Sequence, residues 1–305
     1  MSMRRKTCLL YVVSKIKKIL YLFVFMISLF ALGSVDAMAG IWTTIDVPGE
    51  YGAWPTMASD IDGDNIVGSY GFGHSFLYNG TSWTTLDMPG AFWTEAHGID
   101  GSNIVGTYGD ASGGQHGFFY NGSSWTTLDM PGADATSACG IDGGNIVGSY
   151  TDGFGHSCSF LYDWANWTTL DVPLTFSATD IDGDNILLSD GAISFLYNGT
   201  TLTELIMPDT HGTVASSIDG SNIVGCYWGG DGVRHGFLYN GSSWTTLDMP
   251  GASQTAACGI DGSNIVGQYF DASDAYHGFV YAIPEPGTVF LLGLGGLVLV
   301  RRRRG

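Results

Sequence analysis

The sequence predicts an all-β fold, a six-bladed β-propeller of four-stranded antiparallel blades, and three observations support this prediction. Eighteen residues recur almost unchanged: HGFFYNGSSWTTLDMPGA at 116–133 and HGFLYNGSSWTTLDMPGA at 235–252 differ only at Phe119 and Leu238. The aspartate of an IDG motif stands at 62, 100, 142, 182, 219 and 261, in steps of 38, 42, 40, 37 and 42 residues. Each period also carries two tight-turn signals. Self-similar units of about 40 residues are typical of propellers and solenoids.

The sequence of each unit predicts four short strands. Examples of the four, in order, are ACGI (257–260), NIVGQY (264–269) and HGFVY (277–281) from the last unit and SSWTTLD (242–248) from the unit before it. Asp-Gly follows the first strand and Asn-Gly follows the third, and both dipeptides favour tight hairpins. Six such units, uninterrupted over residues 40–282, match a propeller better than a sandwich. A parallel β-helix is the main alternative, but its coils are usually shorter and lack two tight hairpins each.

The two ends of the repeat region are complementary. The region opens with IWTTIDVPG at 41–49, a fourth strand without its hairpin partner, and closes with HGFVY, a third strand without a fourth. We therefore predict that the N-terminal strand completes the last blade and closes the ring, so that no sheet edge between the termini is unpaired. Closure also lets every unit bury its apolar face against a neighbour.

Residues 1–39 have the layout of a secretory signal peptide. A basic stretch precedes an apolar run over 19–32, and AMA at 37–39 predicts cleavage between Ala39 and Gly40. An uncleaved anchor helix is the alternative. Both interpretations predict that the repeats are exported.

The C-terminal segment 283–305 combines three elements in a fixed order: Pro284, Glu285 and Pro286, then an apolar run over 287–300, then Arg301, Arg302, Arg303 and Arg304. As a helix the run spans roughly 20 Å, short of the about 30 Å of a hydrocarbon core, which predicts a short, transient membrane anchor. The order resembles the PEP-CTERM sorting signal of exported bacterial proteins. That resemblance implies an exosortase-type processing enzyme as partner and delivery to the cell envelope or an extracellular polysaccharide matrix.

The repeat region is strongly acidic. Between residues 40 and 281 the sequence has one basic residue, Arg234, against 27 Asp and Glu, a formal charge of 1 − 27 = −26. Such a body repels nucleic acid and anionic lipid. Cations and uncharged polymers are the compatible partners.

The repeat unit also resembles the HAF-family extracellular repeat. The matching segments are GIDGSNIVG, as at 259–267, and HGFLY, as at 235–239. The resemblance implies a secreted, β-rich repeat protein, and it brings no catalytic residues with it.

Five histidines precede the predicted third strand of their units: His74, His116, His156, His235 and His277. A residue repeated in this way usually serves the repeat itself, so we expect each imidazole to bond a neighbouring backbone or blade. The third strands lie far from the ring axis, which makes a shared metal site unfavourable.

A calcium site is the alternative to simple turn chemistry at the two DIDGDN motifs. They place carboxylates at alternate positions, as calcium loops do: Asp60, Asp62 and Asp64, and again Asp180, Asp182 and Asp184. The twelfth positions are Gly71 and Gly191 instead of Glu, and the other four units lack the motif. We therefore favour hairpin turns and predict no other cofactor.

The remaining chemistry-bearing residues give no enzyme motif. Glu50, Glu95 and Glu204 are scattered candidates for glycosidase carboxylates. Removal of the signal leaves Cys139, Cys158, Cys226 and Cys258. Cys139 and Cys258 hold the same place in opposite units, so free thiols or a Cys226–Cys258 pair remain open.

The sequence thus favours a non-catalytic surface or matrix propeller that binds a polysaccharide or an envelope protein. The alternative is a polysaccharide hydrolase or lyase on the same scaffold. Strand alternation puts both tight turns at one end of each blade and the variable segments at the other, and variable loops on a rigid scaffold usually carry recognition. The predicted binding residues there are aromatic rings for stacking and carboxylates for hydrogen bonds or cations: Phe92, Trp93, Trp228, Phe270 and Tyr276, with Asp110, Asp231, Asp271 and Asp274. Loops that merely cover the blade ends are the other interpretation.

Overall fold

The computed structural model describes residues 40–48 and 55–284, and every regular element in that range is a β-strand. The predicted signal helix at 1–39 and the predicted apolar helix at 287–300 lie outside the described residues. Within the described part of the chain no helix is long and apolar enough to cross a membrane.

Six four-stranded antiparallel sheets form the blades of a propeller, which confirms the predicted architecture. The strands of blade 1 are β2 (Thr56–Asp62), β3 (Asn65–Tyr70), β4 (His74–Tyr78) and β5 (Trp83–Thr85); of blade 2, β6 (Trp93–Asp100), β7 (Asn103–Gly109), β8 (Gln115–Tyr120) and β9 (Trp125–Leu128); of blade 3, β10 (Ala135–Asp142), β11 (Asn145–Thr151), β12 (Ser157–Tyr162) and β13 (Trp167–Thr169).

The second half of the ring has the same order of strands. Blade 4 contains β14 (Ser177–Asp182), β15 (Asn185–Ser189), β16 (Ser194–Tyr197) and β17 (Leu202–Leu205); blade 5, β18 (Thr213–Asp219), β19 (Asn222–Trp228), β20 (Arg234–Tyr239) and β21 (Trp244–Leu247); blade 6, β22 (Gln254–Asp261), β23 (Asn264–Phe270), β24 (Tyr276–Ala282) and β1 (Ile41–Ile45). The first strand of each blade contacts the first strands of both neighbouring blades, so these six strands surround the axis.

The core lies between the blades and follows from the repeat itself. The phenylalanine of HGFLY is fully buried, as at Phe118. It packs over the glycine of NIVG, because a Cβ on Gly106 would lie 2.7 Å from the Phe118 ring. Blade 4 departs from this rule, since Leu188 replaces the glycine and Phe195 is only half-buried.

The predicted ring closure is confirmed. β1 pairs with β24 in antiparallel register, from Ile41 opposite Ala282 to Ile45 opposite Gly278. Two side-chain contacts reinforce the pairing. Thr44 Oγ1 lies 2.9 Å from Tyr269 Oη, and Asp46 Oδ2 lies 2.9 Å from His277 Nδ1. In the other blades the fourth strand follows the third directly along the chain. In blade 6 the N-terminal strand β1 takes that place.

Candidate binding face and axial channel

The antiparallel order separates the two ends of the ring. We call the end with the Asp-Gly and Asn-Gly turns the tight-turn end, and the opposite end, with the second loops and the connections between blades, the loop end. At the loop end, neighbouring segments hold each other through backbone bonds. Phe92 N–H donates to Gly109 O at 2.7 Å, and Thr94 N–H donates to Gly73 O at 2.9 Å. These bonds hold the variable segments of blades 1 and 2 against each other.

Three of the predicted acceptor aspartates organise these loops. Asp110 Oδ1 accepts from the N–H groups of Ser112 and Gly114, both at 2.8 Å. Asp271 Oδ1 accepts from Ser273 and Ala275 in the same way. The Ser112 hydroxyl also donates to Asp110 Oδ1, at 2.7 Å, and has the largest effect on that carboxyl, while the Ala275 N–H has the largest effect on Asp271. Together these bonds lower the pKa of Asp110 and of Asp271 to about 2.

Asp231 has a similar role, whereas Asp274 differs. Asp231 Oδ1 accepts from Val233 N–H at 2.9 Å, which lowers its pKa. Asp274 is exposed, with a left-handed φ of 62°, and its N–H donates to Asp271 O at 3.1 Å. Among the described residues the Asp274 carboxylate accepts no hydrogen bond, so it does not organise the loop as the other three do.

The repeated histidines bond carboxylates of their own blade, which corrects the expectation that they bond a neighbouring backbone or blade. His116 lies between two of them, with Nδ1 3.0 Å from Asp129 Oδ1 and Nε2 3.4 Å from Asp110 Oδ2. Burial alone would lower the pKa of His116, but hydrogen bonds and charges of Asp129 and Asp110 outweigh it and raise this pKa. The bridge joins the variable loop to the outermost strand.

The same bridge recurs in blades 5 and 6. His235 lies between Asp231 and Asp248, and His277 lies between Asp271 and Asp46, the residue that follows β1. His74 bonds Asp87 in blade 1, and His156 bonds Asp152 in blade 3. A tyrosine ring stacks on the histidine in several blades, as Tyr108 does on His116 at 5.1 Å. The repeated histidine is thus a structural part of the loop end.

The predicted aromatic residues divide into exposed and half-buried rings. Phe92 is 81 % exposed. Trp93 is half-buried because its side chain covers Gly73 and Gly109, and a Cβ on either glycine would collide with it. Phe270 and Tyr276 are half-buried against each other, with ring centroids 3.8 Å apart. Trp228 is also half-buried. These four rings are less available for stacking than the sequence suggests.

Two exposed aromatic residues at the loop end were not predicted from sequence. Phe72, in the loop between β3 and β4, is 79 % exposed, and Phe154, in the loop between β11 and β12, is 88 % exposed. Together with Phe92 they occupy three successive blades. Both stand in Gly-Phe-Gly segments, and an aromatic residue between two turn glycines is a signal that the sequence does contain.

The IDG aspartates link the blades at the tight-turn end. In every blade the carboxylate accepts a hydrogen bond from the glycine N–H of the next Asp-Gly turn, at 2.7–3.0 Å. The six bonds run from Gly63 to Asp261, Gly101 to Asp62, Gly143 to Asp100, Gly183 to Asp142, Gly220 to Asp182 and Gly262 to Asp219. The result is a closed ring of Asp–Gly bonds.

The calcium candidates divide among three environments. Asp62 and Asp182 belong to the Asp–Gly ring, while Asp64 and Asp184 are exposed beside it. Asp60 and Asp180 stand on opposite blades and line the mouth of the channel along the axis. In residues 40–48 and 55–284 no three His, Cys, Asp or Glu side chains are grouped as metal ligands. The calcium site stays a prediction.

Asp60 and Asp180 are the most perturbed carboxyl groups of the described residues. Asp60 Oδ2 accepts from Ile99 N–H and Asp180 Oδ2 from Ile218 N–H, both at 2.9 Å. Burial raises the pKa of Asp60 well above its usual value, and burial raises that of Asp180 to about 6. Glycines make room for both, since a Cβ on Gly259 would meet Asp60 and one on Gly140 would meet Asp180.

Further inside, the axial channel has a cavity of about 350 Å³ lined by side chains that sequence analysis did not single out. In the first strand of every blade, one extra residue directly before the GID-type motif has no partner on the second strand and shifts the register. These six residues line the cavity: Ser59, His97, Cys139, Thr179, Ser216 and Cys258. Burial lowers the pKa of His97 to about 4 and raises that of Cys139 to about 11 and that of Cys258 to about 12. These groups are therefore neutral.

The remaining candidates lie apart. The described cysteines are free thiols, including Cys226 and Cys258, whose pairing the sequence left open. Glu95 is exposed and lines the channel cavity, whereas Glu204 is exposed on the outer strand β17. Glu50, Glu285 and the arginines 301–304 lie outside the described residues, as do Ala39 and Pro286. Gly40 and Pro284 are the ends of the described range.

Comparison with known proteins identifies one sequence motif in this chain. A model of the PEP-CTERM protein-sorting motif matches residues 282–304, so the chain carries the signal of an exported protein. The chain has no match among curated protein sequences. The resemblance to HAF-family repeats stays a prediction.

Three solved structures are similar to this chain at low sequence identity. The β-propeller domain of the Trilobed protease from Pyrococcus furiosus is 10 % identical over 77 % of this chain and 94 % of its own, with a TM-score of 0.46. The SapL1 lectin, solved with α-methyl fucoside, is 15 % identical over 76 % and 97 %, with a TM-score of 0.45. Trypanosoma rangeli sialidase is 9 % identical over 85 % and 61 %, with a TM-score of 0.49.

Proposed function

We propose that this protein is a non-catalytic propeller of the cell envelope or extracellular matrix, and that its loop end binds a polysaccharide or, failing that, an envelope protein. The observation that carries the proposal is the row of exposed rings on three successive blades, Phe72, Phe92 and Phe154, at 79 %, 81 % and 88 % exposure. Covering such a side chain contributes about 1.5–3 kcal/mol. Flat apolar rings on a fixed surface suit the C–H faces of sugar rings.

The negative charge of the protein favours uncharged or cationic polymers as its partners. The formal charge between residues 40 and 281 is −26. Arg234 is half-buried, with its guanidinium carbon 5.9 Å from the centre of the Phe270 ring, and its Nε and one Nη are buried without a hydrogen-bond partner among the described residues, so they do not face an approaching polymer. An acidic polymer would therefore meet repulsion without a compensating cation.

Alanine substitution of the three exposed rings tests this proposal. We expect Phe72→Ala, Phe92→Ala and Phe154→Ala together to reduce binding of the full chain to immobilised matrix polysaccharide at least tenfold. Stability should change by less than about 1 kcal/mol, since exposed side chains contribute little to it. Leu202→Ala is the matched control, because Leu202 is 38 % exposed at the tight-turn end. Equal binding by the triple variant and the control would exclude the loop end as the binding face.

A specific observation favours the hydrolase or lyase as a second candidate. Asp60 is half-buried and Asp180 is buried, and both carboxyl groups have a raised pKa at the mouth of a channel. Such pairs supply the acid and base of glycoside hydrolysis. Their bonds to Ile99 and Ile218 of the adjacent blades support a structural role instead. Shortened polymer after incubation with the wild type, but not with Asp180→Asn, would favour the enzyme.

A further inference from the structure

A separate cavity of about 480 Å³ lies between blades 1 and 2 at the tight-turn end. Its apolar wall comes from Leu77 and Leu86 of blade 1 and from Ile99 and Ile104 of blade 2. This volume is within the range of sites for small molecules, which are usually mostly apolar with a few convergent polar groups. The cavity lies at the opposite end of the ring from the exposed phenylalanines.

Four polar side chains also line this cavity: Asn65, Thr84, Ser102 and Tyr120. In the described part of the chain none of the four has a hydrogen-bond partner for its side chain. Thr84 and Ser102 are exposed to solvent, and Asn65 and Tyr120 are half-buried. Among the described residues the equivalent Tyr239 also shows no hydrogen bond from its hydroxyl, whereas two other equivalent tyrosines are bonded. Tyr78 donates to Gly80 O at 2.8 Å and Tyr197 donates to Gly199 O at 2.9 Å. The Tyr120 hydroxyl is thus left to bond a molecule in the cavity.

The corresponding space between blades 2 and 3 is filled. There Phe119 replaces Leu77 and Trp164 replaces Gly122, and their rings meet edge to face at 4.6 Å. Gly144 replaces Ser102, and a Cβ on it would lie 3.7 Å from the Trp164 ring. Between blades 5 and 6, Ile283 packs against the equivalent core. The repeat can therefore close this space with large side chains. The residues that line the cavity between blades 1 and 2 recur between blades 4 and 5, where Leu196, Ser221 and Tyr239 take the places of Leu77, Ser102 and Tyr120.

We propose that this cavity binds one uncharged sugar residue, free or at the end of a chain. No charged side chain is among the described residues that line it, and the acidic body repels anions. Leu77 is the half-buried apolar side chain of the wall and suits the apolar face of a pyranose, while the hydroxyl and amide groups suit its hydroxyls. The site is independent of the loop end, so either proposal can fail without the other.

Ring signals of tyrosine test the site directly. The full chain, labelled with ¹³C in its tyrosine rings, is titrated with methyl glycosides of neutral hexoses, 6-deoxyhexoses and N-acetylhexosamines, and with methyl glucuronide. The Tyr120 signal is assigned from Tyr120→Phe. We expect at least one neutral glycoside to shift it, methyl glucuronide to leave it unchanged, and Tyr120→Phe to weaken binding at least fivefold.

Leu77→Phe closes the cavity with a residue that the chain already uses at Phe119, so the fold should tolerate it. In this variant the same glycoside should no longer shift the Tyr120 signal. Tyr162, at the filled interface between blades 2 and 3, is the matched control, and its signal should stay unchanged in every titration. An unshifted Tyr120 signal with all neutral glycosides, or an equal shift in Leu77→Phe, would overturn the proposal. So would an equal shift of Tyr162.

Discussion

At the scale of single residues, the repeated aspartates and histidines hold the propeller together. The IDG aspartate bonds the next blade through a glycine N–H, as Asp62 does with Gly101 at 2.7 Å. The loop aspartate and the histidine fix the variable segment, as Asp110 and His116 do in blade 2. Identical residues in successive units therefore reflect identical contacts, which is the physical reason for the recurring eighteen residues.

The blade 2 loop should be most protected between about pH 4 and pH 6.5. Asp110 has a lowered pKa of about 2, so its contribution is present above its ordinary value of 3.8 and is lost as the pH falls toward 2. His116 has a raised pKa, so its contribution is full below 6.5 and is lost as the pH rises through the raised value. Hydrogen exchange at the Ser112 and Gly114 amides, normalised for intrinsic rates, measures both the loss of protection at low pH and the loss at high pH.

The equivalent loop of blade 4 is the control for this pH profile. Asp190 accepts from Ala192 and Ile193 N–H groups and has a lowered pKa, but Ile193 and Ser194 stand where the histidine would be. At the Ala192 and Ile193 amides, protection from hydrogen exchange should therefore fall at low pH but not above pH 6.5. A loss of protection above pH 6.5 in both loops would refute the role given to His116.

The exposure of single side chains was the part of the site least accessible to sequence reasoning. Phe92 was correctly expected to be exposed, but Trp93 lies over Gly73 and Gly109 and is half-buried. Whether an aromatic side chain is exposed depends on whether a neighbouring segment has glycines that the ring can cover. Such segments belong to other strands and are distant in the sequence. The Gly-Phe-Gly context of Phe72 and Phe154 is a local signal and would have found both.

At the scale of strands and turns, the sequence predicts much more. The alternation of apolar and polar residues and the two tight-turn dipeptides specify strands such as β7 and β8. The register of these two strands brings Gly106 opposite Phe118. The repeated register shift in the first strands has no comparable local signal. Its extra residue varies from Ser59 to His97 to Cys139, and its position is set by how six strands meet around the axis.

The closing strand β1 should contribute strongly to stability through its buried side. Ile45 is 7 % exposed and packs in the core with Val47 and Ala58, so Ile45→Ala should cost about 2–4 kcal/mol of unfolding free energy. Ile41, on the same strand, is 72 % exposed, and Ile41→Ala should cost less than about 0.5 kcal/mol. Chemical denaturation measures both. If the two variants have equal midpoints, β1 is not an essential part of the ring.

At the scale of the whole molecule, near-identical units carry unequal surfaces. The exposed phenylalanines lie on blades 1 to 3, and the open cavity lies between blades 1 and 2. Blades 5 and 6 instead bury Arg234 against Phe270. A repeat architecture alone predicts six-fold equivalence, so this asymmetry was visible only when the variable residues were placed on the ring.

The central claim is that the loop end binds a polymer and leaves it intact. Its most direct test combines hydrogen exchange of the full chain, with and without matrix polysaccharide, and chain-length analysis of the same polysaccharide. We predict slower exchange at 71–73, 90–93 and 151–155 on binding, with no change in polymer length. Protection confined to the tight-turn end, or a shortened polymer, would contradict this account.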